Sequence, residues 1–306
     1  MKAAKVAKEI KDKNNYLSKN TGFDYVNIFF LCLIGLATLL PMLNVFSMAL
    51  SDEGPVVAGM VSFWPIGFQT GTISYVIGKS DFQDAFVVSV ITTLVGTCGA
   101  MFFTVTCAYP LSKPALVGRK PILYLYAFIM LFGAGMVPNY ILYRSLSLTN
   151  TIWALIFPGL FSVSNMFIVK NSFEALPESI EEAALIDGAN NITTMIRIIL
   201  PMSLPVLATM TLFYAVGYWN NYMSGVLYIT RTNLRPLQQY LYGLVREAMN
   251  ETDAAGNVKD IDASMNLAGE SVRAATIVAS TLPILVVYPF LQKYFVKGIT
   301  IGSVKG

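Results

Sequence analysis

The chain has 306 residues, of which 55% are hydrophobic and only 13% charged, with a mean hydropathy of +0.59. A water-soluble domain carries roughly twice that charged fraction, so this composition excludes an ordinary soluble protein and points to a chain that crosses a membrane several times. The net charge of +3 excludes no class of ligand, and the absence of histidine removes the commonest acid/base group and metal ligand. Cys32, Cys98 and Cys107 sit in apolar runs without CxxC spacing and read as small buried hydrophobes.

In chain order, the Lys-rich start "MKAAKVAKEIKDKNNYLSK" reads as a topology signal at the inner membrane surface, making 1–24 a cytoplasmic segment. The apolar run that follows is too long for a signal-peptide core and reads as an anchor. Charge-free windows at 25–51, 85–112, 121–143, 145–169, 198–230 and 274–292 each supply the roughly 20 apolar residues that span a bilayer as helix. The window 54–78 is also charge-free but holds five Gly together with Pro55 and Pro65, so its backbone could not satisfy itself in lipid; it reads as part of an external loop, 50–84. A tight turn at "RSLSLTN" (144–150) separates the third and fourth windows. Six spans with both termini inside place 14 Lys and Arg on inner segments and 7 on outer ones, the orientation that the positive-inside rule favours. Residues 25–300 then form one transmembrane domain, 231–273 an outer loop and 301–306 an inner tail.

The most polar interruption is "EEAALIDGANNITTMIRIILPMSLP" (181–205), on the inner side. Pro177 suits a helix start, where its missing N–H costs nothing, and Glu178, Glu181 and Glu182 suit the positive end of that helix. Gly188 fits the left-handed position that terminates it, and Asn190 or Asn191 can cap a second helix over 192–200, with Pro201 opening the next span. A small, acidic helix lies badly on anionic headgroups but fits a groove on another protein, with Glu182 and Asp187 facing its basic residues.

Glu182-Ala183-Ala184, then Gly188 after three intervening residues, then nine residues before Ile198, and Leu200-Pro201 resemble the EAA loop of ABC importer permeases. The resemblance covers roughly 80–300. It implies an all-α membrane protein of six transmembrane helices with the type I importer (MetI-like) permease fold, and a coupling loop at 174–201 that engages a separate ATPase through Glu181, Glu182, Ala183, Ala184, Asp187, Gly188, Ala189, Leu200 and Pro201. "PFLQKYFVKGITIGSVKG" (289–306), "FGAGMVPNYILYRSLSLTNT" (132–151), "GYWNNY" (217–222) and "RPLQQYL" (235–241) resemble the carbohydrate branch, the one containing the maltose permeases, and most of all permeases for complex oligosaccharides in Gram-positive bacteria. The implied partners are a second homologous permease, two ATP-binding subunits, an extracellular sugar-binding protein, a carbohydrate substrate and the bilayer, with no nucleic acid. ATP-driven closure of the ATPases would rock the spans from inward-facing to outward-facing. The chain has no GxxxxGK[ST], so no cofactor is expected here: ATP and magnesium belong to the partner ATPase, and this chain is a transport subunit of the bacterial cell membrane rather than an enzyme.

Sugars bind to aromatic faces and to hydrogen-bonding groups, and polar residues inside spans are costly. Asn139 and Tyr140 after Pro138, Asn165, and the cluster Tyr218, Trp219, Asn220, Asn221 and Tyr222 are the candidate substrate pathway, with Tyr214, Ser164 and Asn171 as further polar positions. The alternative for each is an aromatic at the membrane interface or an amide bridging helices. Two other readings remain: an importer permease for peptide, metal chelate or polyamine, and a stand-alone secondary transporter. The charge-free windows and the lack of His weigh against the second, which needs ionisable groups inside the membrane.

Overall fold

The computed structural model describes residues 22–251, 269–286 and 289, and every regular element among them is helical. The Lys-rich start through residue 21, the stretch 252–268 expected as part of an outer loop, residues 287–288 and the tail 290–306 lie outside the described residues. Nine helices carry the architecture: α1 (Gly22–Ala49), α2 (Ser80–Ser112), α3 (Arg119–Leu131), α4 (Met136–Ser145), α5 (Val163–Glu174), α6 (Glu178–Ile186), α7 (Leu204–Trp219), α8 (Leu237–Glu251) and α9 (Gly269–Val286).

Three of them, α1, α2 and α9, are long and apolar enough to cross a membrane alone, and the number rises to six if each of three bent helix pairs is one span. The six expected windows therefore correspond to three straight helices and three broken ones. The window 54–78 contains only the short helices Glu53–Val57 and Gly71–Gly78, neither long enough to cross.

The breaks correct the expectation of continuous helices, and each has a physical cause. Between α3 and α4 the axis turns by 106° at residues 132–135, where Gly135 takes φ +83°, a conformation side chains resist. Pro138 does not make this bend: it sits in the first turn of α4, where a proline ring causes no clash. The fourth segment bends by 48° between the 157–159 turn and α5. The fifth bends by 84° at Ser203, so the helix begins at Leu204 rather than at Pro201. Pro201 and Pro205 stand four apart. Pro205 has no N–H for the carbonyl of Pro201, and neither does Pro201 for that of Arg197, where a turn of π-helix (Met195–Ile199) forms.

The core is built on α2. About 50 Å long at 1.5 Å per residue, it packs chiefly against α7 and α5, and its Ala85, Ala100 and Ala108 are almost fully buried. By contrast α1 buries only Ser47 and Ala49 at its C-terminal end. Several hydroxyls in the spans bond back to the preceding turn, as Thr92 Oγ1 to the Val88 carbonyl (2.8 Å), Thr211 to Leu207 (2.8 Å) and Thr276 to Val272 (2.7 Å), which keeps these satisfied without water. The turn expected at 144–150 forms with Ser147 and Asn150 in the left-handed region. Asn150 Oδ1 accepts from Thr230 N (2.7 Å), Thr230 Oγ1 (2.9 Å) and Arg231 N (3.1 Å), tying the hairpin to the chain beyond the fifth span.

Tyr218, near the end of α7, joins three elements. Its ring lies so close to Gly96 of α2 and to Gly159 that a Cβ would approach it to 2.5 Å and 2.9 Å respectively, and its hydroxyl donates to the Ile156 carbonyl at 2.8 Å. Gly96→Ala should therefore destabilise the protein by about 1–3 kcal/mol. Combining it with Tyr218→Ala should recover part of that loss, measured as the thermal unfolding midpoint of the purified protein in detergent.

Candidate functional site

Two sites emerge, one at the polar hairpin 174–202 and one between the break in the fourth segment and the C-terminal end of α7. In the hairpin, α6 starts after Pro177 in extended conformation, with Glu178 and Glu181 in its first turn. It ends in a Schellman arrangement: Gly188, at φ +78°, donates to the Leu185 carbonyl (3.0 Å) and Ala189 to the Ala184 carbonyl (2.9 Å). Asn190 caps the following turn, its Oδ1 accepting from Thr193 N at 2.8 Å. Ala184 is the one buried residue of α6; Glu182, Ala183 and Asp187 are exposed, and neither acid forms an ion pair among the described residues. Alongside them Leu185, Ile186 and Ile192 stand out into solvent, Ile186 at 86% exposure. An apolar and acidic face on a polar loop is a surface made to be covered. Leu200 and Pro201 are not on that face: they form the last turn before the 84° bend.

Glu181 behaves differently from its neighbours. It turns inward and pairs with Lys113, the residue that follows α2, whose ammonium also lies 4.5 Å from the centre of the Tyr109 ring. A second cluster holds the entry to the hairpin. Glu174 pairs with Arg119 and, at 2.8 Å, with Lys170, which is only 6% exposed; Arg119 Nε also donates to the Leu111 carbonyl at 2.8 Å. Sequence reasoning missed Lys113, Arg119, Lys170 and Glu174 as site residues. The Lys170–Glu174 spacing of four was the available signal, but the pairings to Lys113 and Arg119 link residues 68 and 55 apart.

Between the 157–162 break of the fourth segment and the C-terminal end of α7, Asn165, Tyr218 and Asn221 come together on a cavity of about 360 Å³, with Tyr214, Phe161 and Phe213 supplying aromatic walls. Tyr214 is held by a 2.7 Å bond to Thr104. The Asn165 side-chain amide has no hydrogen-bond partner among the described residues, whereas its backbone N–H is capped by Ser162 Oγ at 3.3 Å. Asn221 has structural partners: Nδ2 donates to the Leu155 carbonyl (3.4 Å), freed at the 157–159 turn, and Oδ1 accepts from Ser224 N (3.2 Å) in the first turn of the helix Met223–Tyr228.

The other pathway candidates lie elsewhere. Trp219, expected in the pathway, faces the opposite side of α7. There it packs edge-to-face on Phe86 at 6.0 Å within a core of Val76, Phe82 and Leu237. Residues one apart on a helix point about 100° apart, so Tyr218 and Trp219 do not share a face. Tyr140 stacks on Tyr228 (6.2 Å), Tyr222 meets Tyr242 (4.8 Å), Asn220 accepts from Gln238 (3.4 Å) and Asn139 is exposed; none of them lines the cavity.

Removing Glu174 leaves the buried Lys170 and Arg119 facing each other. Because Glu174 is itself partly exposed, Glu174→Gln should cost about 2–3 kcal/mol, below the value for a fully buried pair. The double variant with Lys170→Met should be less destabilised than the single one in thermal unfolding.

Comparison with known proteins agrees with this architecture. Residues 99–301 match the family described as "Binding-protein-dependent transport system inner membrane component". The chain is 37% identical over 288 residues to the "Polygalacturonan/rhamnogalacturonan transport system permease protein YtcP" of Bacillus subtilis (strain 168), covering 94% of this chain and all of that protein. It is 42% identical over 284 residues to "Protein LplC" of the same organism, covering 93% of this chain and 95% of that one. Among solved structures it superposes on a chain of "a bacterial ABC transporter involved in the import of the acidic polysaccharide alginate" with a TM-score of 0.79 and 31% identity, over 89% of this chain and 96% of that one. With a membrane-spanning helical fold and a family match over most of its length, the chain belongs to the inner-membrane permease components of binding-protein-dependent ABC transport systems.

Proposed function

We propose that the chain is the transmembrane permease subunit of an ATP-driven, binding-protein-dependent importer of oligosaccharides in the bacterial cytoplasmic membrane, with both termini in the cytoplasm. The observation that carries the coupling role is the exposed face of α6. Glu182 and Asp187 flank Leu185 and Ile186, and the Gly188 turn holds the face rigid. Burying those side chains in a basic groove of an ATP-hydrolysing partner gives the differential contacts by which closure of the ATPases biases the membrane spans between two states. A second homologous permease, two ATPase subunits and an extracellular binding protein complete the assembly. Hydrolysis takes place on the ATPase subunits, with this chain transmitting the movement.

The carbohydrate class rests on the named roles of the relatives and on the cavity beside Tyr218. Its aromatic walls suit the C–H faces of sugar rings, and the free amide of Asn165 suits a hydroxyl. The outer loops 50–84 and 231–273 are the surfaces on which a binding protein would dock.

Glu182→Lys or Gly188→Pro should abolish uptake while leaving normal protein levels in the membrane; uptake retained at wild-type rate defeats the coupling role. Asn165→Leu should lower stimulation of ATP hydrolysis by the sugar-loaded binding protein about tenfold, the equivalent of one or two lost hydrogen bonds, with basal hydrolysis unchanged. A screen of the purified complex across oligosaccharides supplies the sugar for that measurement.

A further inference from the structure

The connection 113–118 between α2 and α3 is short, and two cations stand at its limits: Lys113 directly after α2 and Arg119 at the first residue of α3. Each grips a different acid of the hairpin, Arg119 holding Glu174 before α6 and Lys113 holding Glu181 within it. Glu174 closes α5 and Glu181 lies in α6, so the two pairs tie the chain on both sides of the 175–177 turn to the 113–118 connection, and the Lys113 pair is the one that holds α6 itself. The Lys113 contact is specific. A cleft of about 730 Å³ lies between the end of α2 and the hairpin; Glu178, Glu181 and Glu182 all line it, and Lys113 is the one cation among its lining residues. Of those three acids only Glu181 is paired among the described residues, and the Tyr109 ring supports the ammonium from the other side.

We propose that Lys113 and Glu181 are positioning residues of the coupling stroke: their ion pair makes α6 and the adjoining end of α2 move as one body, so that a push on the exposed face of α6 reaches the central helix of the fold. The proposal rests on the coupling role assigned to α6 above. A partly exposed ion pair contributes little to stability, so its effect is expected in the direction and spread of α6 rather than in whether the protein folds. The anchoring of α6 is separable from the covering of its outer face, because Glu181 points inward while Glu182 and Asp187 remain exposed.

The test is a distance measurement by pulsed electron resonance in the complete reconstituted complex. Spin labels are placed at Val117→Cys and Ser179→Cys, both exposed, with Cys32, Cys98 and Cys107 replaced by Ala. The protein with an intact pair should give one narrow distance, the same without nucleotide and after trapping with MgATP and vanadate. Lys113→Ala or Glu181→Ala should broaden it at least about twofold, with the ATPase subunits still bound, and the exchange Lys113→Glu with Glu181→Lys should restore the narrow distribution. A narrow, unshifted distance in Lys113→Ala overturns the proposal. So does a broadening that appears only together with loss of the ATPase subunits and is not recovered by the exchange. Should the intact protein fail to bind ATPase subunits through α6, the coupling role itself is lost, while the nucleotide-free distances still report on the pair.

Discussion

The seat of Tyr218 between two glycines is the interaction on which the remaining arrangement depends. Its ring holds α7 against α2 at Gly96 and against the 157–159 turn at Gly159, and its hydroxyl supplies a donor to the Ile156 carbonyl in a segment whose helix is broken. In hydrocarbon a freed carbonyl or amide has no water to turn to, so a broken span persists only where side chains or neighbouring helices take over its hydrogen bonds. Tyr218 and Asn221 do this for residues 155–156, and Asn221 also caps the chain that restarts at Ser224. The cavity lies at the same place, because the break that needs these polar groups also opens the space they line.

The hairpin solves a different problem. Its two ends reach the apolar core through Leu176, Met195, Ile199 and Leu200, but α6 between them buries only Ala184. Its placement comes from charge, with Glu174 and Glu181 turned inward to three cations of the surrounding helices and loop, and from backbone geometry at Pro177, Gly188 and Asn190. That division leaves Glu182, Leu185, Ile186 and Asp187 free to meet another molecule. Adjacent acids thus differ: Glu181 is paired with Lys113, while Glu182 is exposed and forms no ion pair among the described residues.

The relatives named for polygalacturonan, rhamnogalacturonan and alginate share this chain's length and fold as well as stretches of sequence. A common scaffold explains that much.

Local features of the sequence were sufficient to locate the apolar segments, the lack of a spanning helix in 54–78, and the helix–Gly–Asn-cap design of the hairpin. Hydropathy, glycine at a left-handed position and a capping amide all act within a few residues, so they can be read along the chain. The P-x-x-x-P spacing of Pro201 and Pro205 was local as well, and it marks the bend that places the fifth helix at Leu204. What tertiary structure alone decided is which face each residue presents and which distant charge it meets. Tyr218 enters the cavity while Trp219 enters the core because α7 turns about 100° per residue. Lys113 and Arg119, read from sequence only as positive charges on one side of a membrane, grip acids more than fifty residues away. Neither outcome has a local cause: both follow from helices meeting in space, and hydropathy is blind to that meeting.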